Sequence, residues 1–161
     1  MDPKGNAKIG DFGLSCKLAP NDKLKMDFTG DNIYFAPEML SGPRTYNHLS
    51  DHWCLGINVF ILLTGRSPFH TNEQVINNPL PDLNEARHEA GDPEDISEAG
   101  YDFVKKILAK NPHERLGSQK NLQNIKEHPF FESIDWVRLE NGELAPPYRP
   151  DVVIYLFFSG F

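Results

Sequence analysis

Asp51-His52-Trp53-Cys54-Leu55-Gly56-Ile57-Asn58-Val59-Phe60-Ile61-Leu62-Leu63-Thr64-Gly65 is the stretch that decides the fold. It is the most apolar run before the C-terminus, and it carries no clean polar stripe at helical spacing. A helix apolar around most of its circumference belongs in a core or in a membrane. From Trp53 to Leu63 this one is too short, and too interrupted by Gly56 and Asn58, to span a bilayer. Ser50 or Asp51 is placed to cap its start, and Gly65 to end it in a left-handed conformation. The pattern predicts a buried central helix with an acid at its N-terminal end.

Around it, 161 residues favour one domain with a proper core. The net charge of −7, with both signs interspersed, argues against nucleic acid as a partner, because phosphate binding needs a basic face. Cys16 and Cys54 are the only cysteines and give no disulfide framework, which points to a reduced, cytoplasmic (intracellular) protein. Met1 to Asn6 has no apolar stretch of the secretory kind, and no transmembrane segment is expected. The six histidines form no ligand set: His48 and His52 are four apart, but no third ligand is near.

In chain order, Asp2 to Asn6 reads as a turn, with Pro3 presetting a dihedral and Gly5-Asn6 tolerating positive φ. Ala7 to Gly10 alternates briefly and is expected to be a short strand. Pro37 to Leu40 suits a short helix with proline in its first turn. Ser97 can cap a helix whose core face is Phe103, Val104, Ile107 and Leu108, stopped by Pro112. Leu122 to Glu127 reads as another short helix, ended by Pro129, whereas Asn77 to Asp95 reads as a polar loop.

Several short motifs then fall in a definite order. They are Asp11-Phe12-Gly13, Ala36-Pro37-Glu38, Asp51-x-Trp53-x-Leu55-Gly56, Gly65-x-x-Pro68-Phe69, and Asn111-Pro112-x-x-Arg115-Leu116-Gly117. The set resembles the C-terminal lobe of a eukaryotic protein kinase, in which D-F-G and A-P-E bracket the activation segment. Glu127-His128-Pro129-Phe130-Phe131-x-x-Ile134-Asp135-Trp136 and Pro146-Pro147-Tyr148-Arg149-Pro150 resemble the lobe end and tail start of the AGC group, with wording closest to protein kinase C-like enzymes. The implied fold class is mainly α: a helical C-terminal kinase lobe with a short β remnant at the N-terminus. Residues 1–131 would form the partial lobe, with the activation segment at 11–38. Residues 132–161 would begin the AGC extension, with an atypical apolar end from Val152 to Phe161.

The resemblance assigns roles. Asp11 would ligate the magnesium that bridges nucleotide phosphates, so it stands as both metal and cofactor-binding residue, with ATP and Mg²⁺ as the implied cofactors. Phe12 would pack into the apolar stack that sets active or inactive geometry, with Gly13 completing the turn. Glu38 and Arg115 would form a buried ion pair, and Asp51 would anchor the backbone of the catalytic loop. Asp27, counted back from Gly30, holds the place of the activation-loop threonine; it either substitutes weakly for a phosphate or marks a drifted loop. Asp31 stands where Ser/Thr kinases carry threonine, and its added carboxylate would repel an aspartate base and phosphates. Tyr34 falls in the run from Gly30 to Glu38, within the implied activation segment. Ile61 stands where basophilic relatives carry an acid, so a basic substrate preference is not implied.

No catalytic residue of the family is expected in this chain. The glycine-rich loop, the phosphate lysine and H-R-D-x-x-x-x-N would all precede D-F-G, and ten residues precede Asp11. Binding of ATP and Mg²⁺ by this chain alone is put in question for the same reason. Three readings stay open: part of a Ser/Thr kinase, a non-catalytic scaffold or decoy that keeps the substrate-docking lobe, and a truncated product with no independent role. The implied partners are a protein substrate or the missing N-lobe.

Overall fold

The computed structural model describes residues 2, 4–19, 22–25, 32–82, 96–118 and 122–148. Asp27, Gly30 and Asp31, most of the polar loop and the apolar end lie outside the described residues. Two compact units are present, Leu18–Ser133 and Met1–Lys17 with Ile134–Phe161.

In the first unit, helix α1 spans Pro37–Leu40, α2 Leu49–Thr64, α3 Asn72–Asn77, α4 Glu98–Ile107 and α5 Gln123–Lys126. Strands β1, Leu24–Lys25, and β2, Thr45–Tyr46, pair antiparallel with Leu24 opposite Tyr46. The fold is mainly α. The strand expected over Ala7 to Gly10 does not form: that segment is exposed and has no ladder partner among the described residues. The sheet instead joins Leu24–Lys25 to Thr45–Tyr46, just before α2.

The core is the contact of α2 with α4. Trp53, Ile57 and Phe60 on one side face Phe103, Val104 and Ile107 on the other, all at most 2% exposed. Gly56 permits the approach, since a Cβ there would lie 2.7 Å from both Ile107 Cγ2 and Leu108 Cδ2. The Ser97 hydroxyl caps α4, accepting from Gly100 N at 3.0 Å. Gly65 ends α2 at φ 75°, its N–H donating to Ile61 O at 2.7 Å.

The start of α2 differs from expectation. The helix begins at Leu49, and it is the Asn47 side chain that accepts from Leu49 N at 3.0 Å. Ser50 does not cap, because its hydroxyl is committed to Glu38 Oε1 at 2.9 Å. Nor is α2 buried all round: Asp51, Leu55, Asn58 and Leu62 form an exposed stripe along it, Leu62 being 84% exposed. Asn58 is tolerated mid-helix by donating to the Cys54 carbonyl at 2.8 Å.

Helix α3 adds to the elements that the sequence pattern predicts. Its signal is Thr71-x-x-Gln74: the Thr71 hydroxyl accepts from Gln74 N at 3.2 Å, and the Gln74 side chain accepts from His70 N at 2.7 Å.

In the second unit, α6 spans Trp136–Glu140 and is capped by Asp135, whose carboxylate accepts from Arg138 N at 3.0 Å. The opening turn is held by Asp2, which accepts from Lys4 N, Asn6 N and Asn6 Nδ2 at 2.9–3.0 Å. Gly5, at φ 93°, lies against the Tyr148 carbonyl and Pro146, so a side chain there would collide with the tail.

Candidate functional site

Asp11 stands at the entry to a tight turn over Phe12–Leu14, with φ 58° and ψ 64°. A non-glycine residue in the left-handed region is uncommon, aspartate being among the types that tolerate it. Ser15 closes the turn by donating both N–H, at 3.0 Å, and hydroxyl, at 2.8 Å, to Phe12 O. Asp11 is exposed, and its side chain makes no cap hydrogen bond. Phe12 departs from the expected packing, being 65% exposed in a segment whose described neighbours are exposed as well.

Magnesium keeps most of its water and takes one or two carboxylates plus phosphate oxygens. A free, exposed carboxylate such as that of Asp11 fits one such position. No group of three His, Cys, Asp or Glu side chains suited to a metal occurs among the described residues. An ion held at Asp11 would neutralise phosphate charge there.

In the other unit the side chains converge on Arg115, which is 1% exposed. Its Nη1 and Nη2 each donate to a Glu38 carboxylate oxygen at 3.0 Å. Nη1 also reaches Leu49 O at 2.6 Å, and Nε reaches Ala109 O at 3.2 Å. The fork thus ties α1, the start of α2 and the exit of α4 together in a bidentate geometry. Its carbon centre lies 5.3 Å from the Trp53 ring.

Trp53 in turn stacks on Phe69, with centroids 5.9 Å apart and planes 12° from parallel. Lys110 lies over Phe69 at 3.7 Å, and burial pushes its ammonium down to about 8. Sequence reasoning missed Lys110, because its partners are a ring and backbone carbonyls far away in the chain.

Burial first, then the negative charge of Asp51, pushes the Cys54 thiol up to about 11, and Cys54 donates to Tyr34 O at 3.4 Å. That is the environment of a structural thiol, not of a nucleophile. Half-buried Tyr34 packs against the core through the same contact region. Burial likewise pulls His52 down, helped by His48. His128 is built into the structure: Nδ1 accepts from Phe130 N at 3.3 Å, so Nε2 carries the proton toward Asp102 Oδ2 at 3.1 Å. Asp51 is exposed in the first turn of α2, and its carboxylate makes no hydrogen bond among the described residues.

Against known sequences, a family model described as protein kinase domain matches residues 1–131. The chain belongs to the protein kinase family. Relatives include Serine/threonine-protein kinase SCH9 of Candida albicans, 35% identical over all of this chain and 20% of that protein. Ribosomal protein S6 kinase alpha-2 of Mus musculus is 33% identical over 94% of this chain and 20% of its own length. Serine/threonine-protein kinase sck1 of Schizosaccharomyces pombe is 34% identical over all of this chain and 23% of its own length. These relatives belong to the AGC group of kinases, with which this chain is placed. This kinase chain spans about a fifth of the length of these relatives. Among its described residues no helix is long and apolar enough to cross a membrane.

Proposed function

We propose that this chain works as the C-terminal portion of a serine/threonine kinase catalytic domain, transferring phosphoryl groups from ATP to protein side chains only together with the remaining parts of that domain. Asp11 is the magnesium and nucleotide-facing residue, and Glu38 with Arg115 is the brace that holds the activation segment to the helices. The observation that carries the reading is the free Asp11 carboxylate, set in a left-handed D-F-G turn within a chain of this family. Phosphoryl transfer depends on positioning and electrostatics. The 161 residues contain no H-R-D-x-x-x-x-N and no G-x-G-x-x-G, so base, second magnesium ligand and phosphate-covering loop have to come from elsewhere. Asp51 and the exposed stripe behind it on α2 are the surface on which those parts would dock.

The test is reconstitution. The purified chain with Mg²⁺, ATP and a protein substrate is expected to transfer no phosphate. Addition of a polypeptide from an AGC relative, spanning its glycine-rich loop to its catalytic loop, is expected to restore magnesium-dependent transfer. Asp11→Asn should then lower that activity by about 10²-fold or more, since an amide removes the charge facing the metal. Transfer by the chain alone overturns the proposed incompetence, and an Asp11→Asn variant with full activity overturns the assigned role.

A second reading, a non-catalytic scaffold that keeps the substrate-docking lobe, is favoured by Asp31. If the complementing polypeptide binds without activity, and Asp31→Thr then yields transfer, the scaffold reading gains the decisive support.

A further inference from the structure

Helix α3 has six residues, too few to persist without tertiary support. Its first turn is secured by Thr71 and Gln74, and Asn78 N returns to Gln74 O at 3.0 Å. The next carbonyl, that of Val75, would look for the N–H four residues on. That residue is Pro79, which has none. An unpaired carbonyl at this helix end would be costly, because Val75 itself is 2% exposed.

Lys110 supplies the donor. Its Nζ donates to Val75 O at 2.5 Å and lies 3.5 Å from Gln74 O. The same nitrogen sits 3.7 Å from the Phe69 ring centroid and 5.2 Å from that of Trp53. Phe69 and Gln74 also line a groove of about 280 Å³, whose other wall is Asn78 to Pro81. That second wall is tied to α4 by Tyr101, whose hydroxyl donates to Pro81 O at 2.6 Å. Both walls thus hang from α4 and the residues just after it.

We propose that Lys110 is the clasp that positions α3, replacing the backbone donor that Pro79 lacks, and so fixes the groove between Phe69 and Pro81. Its hydrogen bond to Val75 does the holding, and the ring contact with Phe69 aims the side chain. The proposal goes beyond the kinase reading and does not depend on it.

Amide exchange on the full chain tests it. Lys110→Met keeps the length of the side chain but removes every donor. It is expected to lower protection of the Val75 and Asn78 amides about tenfold, the worth of one half-buried hydrogen bond. Protection of Phe103 and Val104 in α4 should not change. Lys110→Arg, which restores donors and cation, should keep protection close to wild type. Wild-type protection in Lys110→Met, or a loss in Lys110→Arg as large as in the methionine variant, overturns the clasp. An independent readout needs no substitution at Lys110: its ε-methylene protons should resonate upfield under the Phe69 ring and return to ordinary positions in Phe69→Leu. Ordinary positions in the wild type would also overturn it.

Discussion

At the scale of single residues, Arg115 is the most demanding position. Every nitrogen of its guanidinium has an acceptor: the Glu38 carboxylate, Leu49 O and Ala109 O. Arg115→Ala removes the cation and leaves Glu38, whose side chain is 15% exposed, with Ser50 as its one remaining side-chain partner among the described residues. A loss of about 3–5 kcal/mol is expected, the cost of orphaning one member of a buried pair. Chemical denaturation measures it, and an unchanged midpoint would remove the pair from the list of stabilising contacts. Two other residues set opposing pH trends. Unfolded lysine holds its proton to about pH 10.4, whereas folded Lys110 releases it at about 8. Between these values the unfolded chain binds more protons, so the Lys110 contribution makes stability rise with pH. Cys54 acts the other way: folded it stays protonated to about 11, while the unfolded thiol ionises lower, and stability falls across that interval. Denaturation at pH 7.5 and 9.5 should therefore show a steeper fall in Lys110→Met than in wild type, and a steeper rise in Cys54→Ala. Parallel pH trends in all three would contradict both assignments.

At the scale of elements, the spacing between α2 and α4 is decided at Gly56. Alanine is favoured over glycine in a helix by about 1 kcal/mol. A Cβ at this site, however, meets Ile107 and Leu108 at 2.7 Å, and overpacking of a core costs about 1–3 kcal/mol. Gly56→Ala is expected to lose about 1 kcal/mol net, read as a lower melting temperature. A gain in stability would mean that the two helices separate easily. The apolar pattern of α4 and its Ser97 cap were legible because a helix with one buried face writes that face at regular spacing. The pattern of α2 was legible as a helix but not as a half-exposed one, since Leu55 and Leu62 look like core residues until their surroundings are known. Helix α3 was hidden for a different reason. Six residues give too short a window for periodicity, and only the Thr71-x-x-Gln74 pair marks it.

At the scale of the whole molecule, Leu55 at 43% and Leu62 at 84% exposure put two large apolar side chains on the exposed stripe of the central helix. Exposed apolar surface of this kind promotes association. Leu62→Glu is expected to reduce self-association in light scattering while moving stability by no more than about 0.5 kcal/mol. Equal association of variant and wild type would place the sticky surface elsewhere. Sequence by itself determined the family, the helical class, the Asp11 turn as the candidate metal ligand, and Glu38 with Arg115 as partners. The class rests on residue identity and order, which the chain displays directly; the roles of Asp11, Glu38 and Arg115 came through the resemblance of the ordered motifs to a protein kinase. Only the tertiary structure decided which face of α2 meets solvent, that Ser50 and Leu49 O complete the Arg115 brace, and that Lys110 meets Val75 beneath Phe69. Each of these depends on a contact between residues distant in the chain, and a carbonyl oxygen or ring face that receives such a contact leaves no mark in the amino-acid code. The central helix was announced by its own residues; what its two faces do was settled by their neighbours.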